Sequence, residues 1–272
     1  MNIVEQQSIG KHSQETNEDG IIATADFIAV VDGSTSKSPF QIQQGMSNGR
    51  YAMLMVKEVV ESTSATTSLS EFCVLLMNRF KEIYQRNGIS NETLLSHPET
   101  RLTASAAVFS RHYRQVWLIG DCQCLITPNG ETFSNPKPAE EHNARRRAAF
   151  IKKALSEGKT VEQFQQHDDG RDIIIPAIIE SCRHQNRDFA VIDGFPIPRH
   201  LVKVIDCHDA TEIVMASDGY PFLRSTLAET EDLLVELLRK DPLCIHDFMA
   251  TKGLMTGNKS FDDRSYIRFT LP

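Results

Sequence analysis

The chain has 272 residues and a formal charge of −7, from 29 Lys and Arg against 36 Asp and Glu. That length is enough for a substantial hydrophobic core, and 24% charged with 40% hydrophobic residues excludes a disordered or fibrous chain. An acidic balance excludes adhesion to nucleic acid or anionic membranes through a basic surface.

In chain order, apolar runs of strand length fall at Phe27 to Val31, Ala104 to Phe109, Val116 to Ile119, Phe189 to Ile192, Leu201 to Ile205, Glu212 to Ala216 and Tyr266 to Leu271. Two helical patterns stand between the first and second. Residues 44–61 align Met46, Met53, Val56 and Val60, and residues 71–86 align Phe72, Leu76, Phe80 and Ile83, with Gly88 as a C-cap. Residues 136–187 read as polar and helical, an insertion between strands that carries the basic run Arg145 to Arg147 on a solvated face. Strands and helix pairs segregated in this way predict an α+β fold with helices outside antiparallel sheets.

No basic stretch leads into an apolar run at Met1, and no run approaches about 18 apolar residues, so the expectation is a cytoplasmic protein that does not meet membrane. The six cysteines are then reduced thiols, and Cys122 and Cys124 share one strand face as small hydrophobes. Trp117 lies in an apolar run and belongs to the core. No interleaving of aromatic and basic residues suggests nucleic acid.

The chemical signal is acidic. Three strand-like runs end in Asp-Gly, at Asp32-Gly33, Asp193-Gly194 and Asp218-Gly219. Any one alone is a common turn signal. Further acids stand beside strands at Asn17-Glu18-Asp19, Gly120-Asp121 and Asp262-Asp263. Carboxylates gathered at strand ends repel one another unless a cation joins them. Mg²⁺ or Mn²⁺ suits such an all-oxygen set, and a glycine after a ligating Asp lets its carbonyl approach the ion. Two ions roughly 3.5–4 Å apart can clamp a phosphoryl oxygen and activate water.

At these residues the sequence resembles the PPM-type (type 2C) metal-dependent serine/threonine phosphatases. The motifs Asn17-Glu18-Asp19, Val30-Val31-Asp32-Gly33, Thr103-Ala104 with Ile119-Gly120-Asp121, Ala216-Ser217-Asp218-Gly219 and Asp262 to Ile267 follow the family's order across about residues 8 to 271. The resemblance implies a single αββα domain over residues 1–272, two antiparallel sheets flanked by helix pairs, with the 136–187 block as the family's flap. It implies that Asp32 bridges two metals, that the Gly33 carbonyl binds one, and that Asp218 and Asp262 complete the other's shell. Glu18 and Asp19 match the pair that ligates or orients metal-bound water, and Asp121 with Asp218 matches a third, weaker site. The implied reaction is hydrolysis of phosphoserine or phosphothreonine in a protein by metal-bridging water, with Asp32 and Asp218 central to catalysis.

Two positions depart from the pattern. Gln14 stands where bacterial members carry a phosphate-gripping Arg, leaving Lys11, His12 or the 145–147 arginines as substitutes. Ser34 stands where a His often protonates the leaving group, and a hydroxyl is a poor general acid. The alternative reading is therefore a catalytically weak or inactive module that keeps the fold and its acids. Competing enzyme classes fail on single residues. Ser34 breaks the Asp-x-Asp pattern of haloacid-dehalogenase-type phosphotransferases, Lys153 stands where a P-loop needs glycine before Gly158-Lys159-Thr160, and no Gly-x-Ser-x-Gly elbow occurs.

Overall fold

A computed structural model describes residues 1–272. Ten strands form two five-stranded antiparallel sheets. One sheet has the order β1 (Asn2–Ile9), β10 (Arg264–Thr270), β9 (Glu212–Ala216), β6 (Gln123–Thr127), β7 (Glu131–Ser134). The other runs β2 (Asp19–Ala23), β3 (Phe27–Gly33), β4 (Ala104–Ser110), β5 (Gln115–Ile119), β8 (Lys203–Asp206).

The period of two along each strand sorts the residues into layers. On β3, Phe27, Ala29 and Val31 face α1 (Asn48–Ser62) and α2 (Leu69–Arg86), in a core with Phe72, Leu76 and Trp117. Ile28 and Val30 face the opposite sheet, where Phe109, Leu118, Cys124, Met215, Ile267 and Phe269 fill the space between the sheets. The outer face of the β9–β10 sheet carries Val214, Ala216 and Tyr266 beneath Leu234 of α8 (Leu227–Lys240) and Phe261. Four layers result. The α1–α2 pair covers one sheet, and α8 with the irregular segment 241–263 covers the other. All six cysteines are free and buried.

The insertion is helical throughout, comprising α4 (Pro138–Ser156), α5 (Val161–Gln166), α6 (Asp169–Asp172) and α7 (Ile175–Cys182). The basic run divides. Arg145 and Arg146 are exposed as expected, whereas Arg147 is wholly buried, ion-paired to Asp168 at 2.7 Å and donating to the carbonyls of Leu243 and Ala250. That group fixes α4 to the 241–250 segment. The run Phe189 to Ile192 is buried from Ala190 onwards but forms no strand; it joins β4 by one bridge, Ala104 to Ile192.

Candidate metal centre

The inter-sheet layer turns polar at one end. On β3 the face that carries Ile28 and Val30 continues to Asp32; on β4, Ala107 is followed towards the same end by Ser105; on β9, Met215 is followed by Ser217. Asp19 of β2 stands directly across from Asp32. One end of a hydrophobic sandwich therefore carries buried acids.

Asp32, Asp121 and Asp218 each bring a carboxylate oxygen to within 4.8 Å of the others. Burial drives Asp32 well above the ordinary carboxylate range, reinforced by Asp19, Asp121 and Asp262 and opposed by Lys137. Asp218 is raised in the same way, by burial and then by Asp32 and Asp121. Asp19 is raised chiefly by burial, although its Oδ2 accepts a 2.5 Å hydrogen bond from Ser217. Asp121 behaves oppositely. Burial pushes it up, but the Lys137 ammonium at 2.6 Å and the Ser105 hydroxyl at 2.6 Å hold it below its usual value. Gly120, at φ 89°, gives Asp121 its approach, since a Cβ there would fall 2.3 Å from Ser105 Oγ.

The remaining acids form a second group. Glu18 Oε1 accepts from Ser47 at 2.7 Å, and Oε2 from Thr35 at 2.7 Å. Ser47 is also the N-cap of α1, so the helix start is joined to the acid. Gly33 and Gly49 are needed here because the strand and helix backbones touch. A Cβ on Gly33 would lie 2.0 Å from the Gly49 carbonyl oxygen, and one on Gly49 would lie 2.5 Å from Glu18 Oε1 and 2.7 Å from the Gly33 carbonyl oxygen. The Glu18 carboxylate and the Gly33 carbonyl thus share one space. Asp262 pairs with Lys252 and, at 3.4 Å, with Lys11; these ammonium groups outweigh burial and hold it below its usual value. Asp263 accepts from the Lys11 ammonium at 2.8 Å.

The donor set suits a hard divalent cation: three convergent carboxylates, two of them driven towards protonation by burial and mutual repulsion, ask for positive charge and offer only oxygen. The expected residues divide between the two groups. Asp32, Asp121 and Asp218 converge with Asp19 opposite, so Asp121 stands directly with Asp32. Glu18, Gly33 and Asp262 stand with lysines and hydroxyls.

The acids open into a cleft of about 110 Å³, walled on one side by the helical insertion. Its cations are Lys37, Lys137, Arg171 and Lys252. Lys137 and Lys252 each hold an acid. Lys37 and Arg171 make no ion pair; Lys37 donates to Ser34 Oγ at 2.7 Å, and Arg171 to the Thr251 carbonyl at 2.9 Å. Burial lowers Lys37 to about 8, with help from Lys137, Arg171 and Lys252 against an opposing Cys182. Gln14 is occupied elsewhere, its Oε1 accepting from the Gly10 amide. Sequence reading did not single out Lys37, Arg171 or Lys252, because isolated cations carry no motif.

Over 98% of this chain and 97% of the other, the structure superposes with a TM-score of 0.50 on the catalytic domain of the serine/threonine protein phosphatase PstP, a crystal structure in complex with two manganese ions, at 14% identity. The fold is that of the PPM-type phosphatases. The PPM Ser-Thr phosphatase MsPP from Mycobacterium smegmatis aligns over 100% of both chains at 12% identity and a TM-score of 0.48. PppA, a regulatory component of T6SS in Pseudomonas aeruginosa, aligns over 98% of this chain and 96% of its own at 10% identity and 0.47. No family model matches the sequence, and no curated protein matches it. At this identity it is the PPM-type architecture that is shared. No helix is long and apolar enough to cross a membrane.

Proposed function

We propose that the chain is one phosphatase-like domain that hydrolyses phosphate monoesters, with phosphoserine or phosphothreonine in a cytoplasmic protein as substrate. The convergence of Asp32, Asp121 and Asp218 at the floor of a cationic cleft carries this reading. In it, Asp32 and Asp218 are the central carboxylates. Asp19 and Asp121 support them, while Glu18, the Gly33 carbonyl and Asp262 serve the second position. Bound Mg²⁺ or Mn²⁺, two ions when fully loaded, supplies Lewis acidity and an activated water.

The chain's own residues supply the rest. Lys37 and Arg171, lacking carboxylate partners, attract and orient the phosphoryl oxygens, the task that Gln14 cannot perform. The insertion α4–α7 forms the cleft wall and selects what enters.

The test is hydrolysis of an aryl phosphate and a phosphoserine peptide in Mn²⁺, wild type beside Asp218→Asn. Wild-type turnover, abolished by EDTA, restored by Mn²⁺ and absent in the variant, is expected. Equal silence of the two proteins, with wild type still binding Mn²⁺, would turn the reading to a non-catalytic module; turnover that survives exhaustive chelation would overturn the metal mechanism.

A further inference from the structure

The acids of the cleft are not evenly supplied with positive charge. Asp19, Asp32, Asp121 and Asp218 share one ammonium group, that of Lys137 on Asp121. Glu18, Asp262 and Asp263 share two, those of Lys11 and Lys252. Lys11 is the better built of these. Its Nζ lies 2.8 Å from Asp263, 3.4 Å from Asp262 and 3.5 Å from Glu18, so one ammonium faces three carboxylates. Its main chain is held as well: the amide donates to Asp263 Oδ1 at 2.7 Å, and the carbonyl accepts from the Lys259 amide at 2.7 Å. The ammonium is therefore placed by the backbone and does not depend on a free side chain reaching in.

We propose that Lys11 is a resident cation at the second metal position. It neutralises Glu18 and, together with Lys252, Asp262, so a divalent ion enters first among Asp32, Asp121 and Asp218, of which only Asp121 has an ammonium partner. A second ion binds only by displacing the Lys11 ammonium from its carboxylates. The two steps differ because Asp32 and Asp218 begin without an ion pair, whereas Glu18 and Asp262 both begin in one; two unit charges about 4 Å apart interact strongly enough, even at partial exposure, to separate the affinities by tenfold or more. This rests on the metal-dependent reading but not on turnover.

The experiment counts ions without substrate. Metal-stripped protein is titrated with Mn²⁺, and free Mn²⁺ is followed by electron paramagnetic resonance. Wild type is expected to bind one ion tightly and a second at least about tenfold more weakly. Lys11→Met should tighten the second step by about tenfold and leave the first unchanged, whereas Lys11→Arg should behave as wild type. Asp263→Asn, which keeps an acceptor for the Lys11 amide but loosens its ammonium, should shift the second step in the same direction and serves if Lys11→Met does not fold. Two equal steps in wild type, or an unchanged second step in Lys11→Met and Asp263→Asn, would overturn the proposal while leaving the phosphatase reading intact. Stepwise binding without hydrolysis would support it and count against that reading.

Discussion

Asp193 and the Asp32–Asp218 pair begin from the same sequence signal, a strand-like run closed by Asp-Gly, and end in opposite physical states. Asp193 is fully buried and fully answered. Arg101 lies 3.1 Å from its Oδ2, while Asn186 at 2.8 Å and the Phe195 amide at 3.0 Å serve Oδ1. Gly194, at φ 90°, closes the turn against Tyr84. Asp32 and Asp218 are raised by burial and by each other, with no such ring of donors. A buried carboxylate supplied by its own chain is structure; two that repel across a cleft store a demand for a ligand.

The comparison can be broken most forcefully at Asp32. Under the proposed phosphatase function, Asp32→Asn should lower turnover by about 10³-fold or more, because a central carboxylate loses its charge. The same change should stabilise the metal-free protein by on the order of 1 kcal/mol, since it removes a repelled charge. Steady-state kinetics and urea melts in EDTA would read the two signs, and a destabilised Asp32→Asn would place Asp32 with Asp193. Asp193→Ala should do the reverse, costing about 3–5 kcal/mol by leaving Arg101 buried and unpaired, with Mn²⁺ affinity of the folded fraction unchanged.

The smallest expected effect concerns Lys37. Lys37→Met should raise KM for a phosphorylated peptide about tenfold, the worth of one lost charge-assisted hydrogen bond, and Lys37→Arg should restore most of it. A pH profile sharpens this. The folded value near 8 lies below the ordinary lysine value of 10.5, so the ammonium is lost as pH rises through about 8, and KM should climb there. In Lys37→Arg that limb should vanish. The linkage runs the other way for stability: between about 8 and 10.5 the unfolded chain binds more protons, so this group makes the fold more stable as pH rises across that window.

Sequence legibility followed the same division. The run Glu212 to Ala216 is β9 to the residue, and Trp117 lies in the core, because full burial writes a continuous apolar run. The edge strand β1 was not legible; its outward face is exposed, and apolar patterning fades where one side meets solvent. The helix α8 was passed over although Thr226 caps it and Leu234 and Leu237 lie on its buried face. The run Phe189 to Ile192 reads as a strand because most of it is buried, yet its residues dock only through two isolated bridges, Ile192 to Ala104 and Phe189 to Gln185. The acids were legible because they recur beside strand ends. Lys37 and Arg171 are not, and Lys11 is legible only as a candidate phosphate cation and not as the partner of Asp262 and Asp263, since these roles come from tertiary approach across up to 252 residues.

The buried Arg147 anchor has a consequence for how the cleft is entered. Pulling α4 away from the 241–250 segment would strip the guanidinium of its two carbonyl acceptors, those of Leu243 and Ala250, at a cost of about 3 kcal/mol or more. By that route fewer than about one molecule in a hundred would stand open at any moment. A visitor therefore meets a doorway whose width was fixed when the chain folded. Admission is decided by the size and shape of what arrives, much as a sieve decides, and not by a jaw that closes around it.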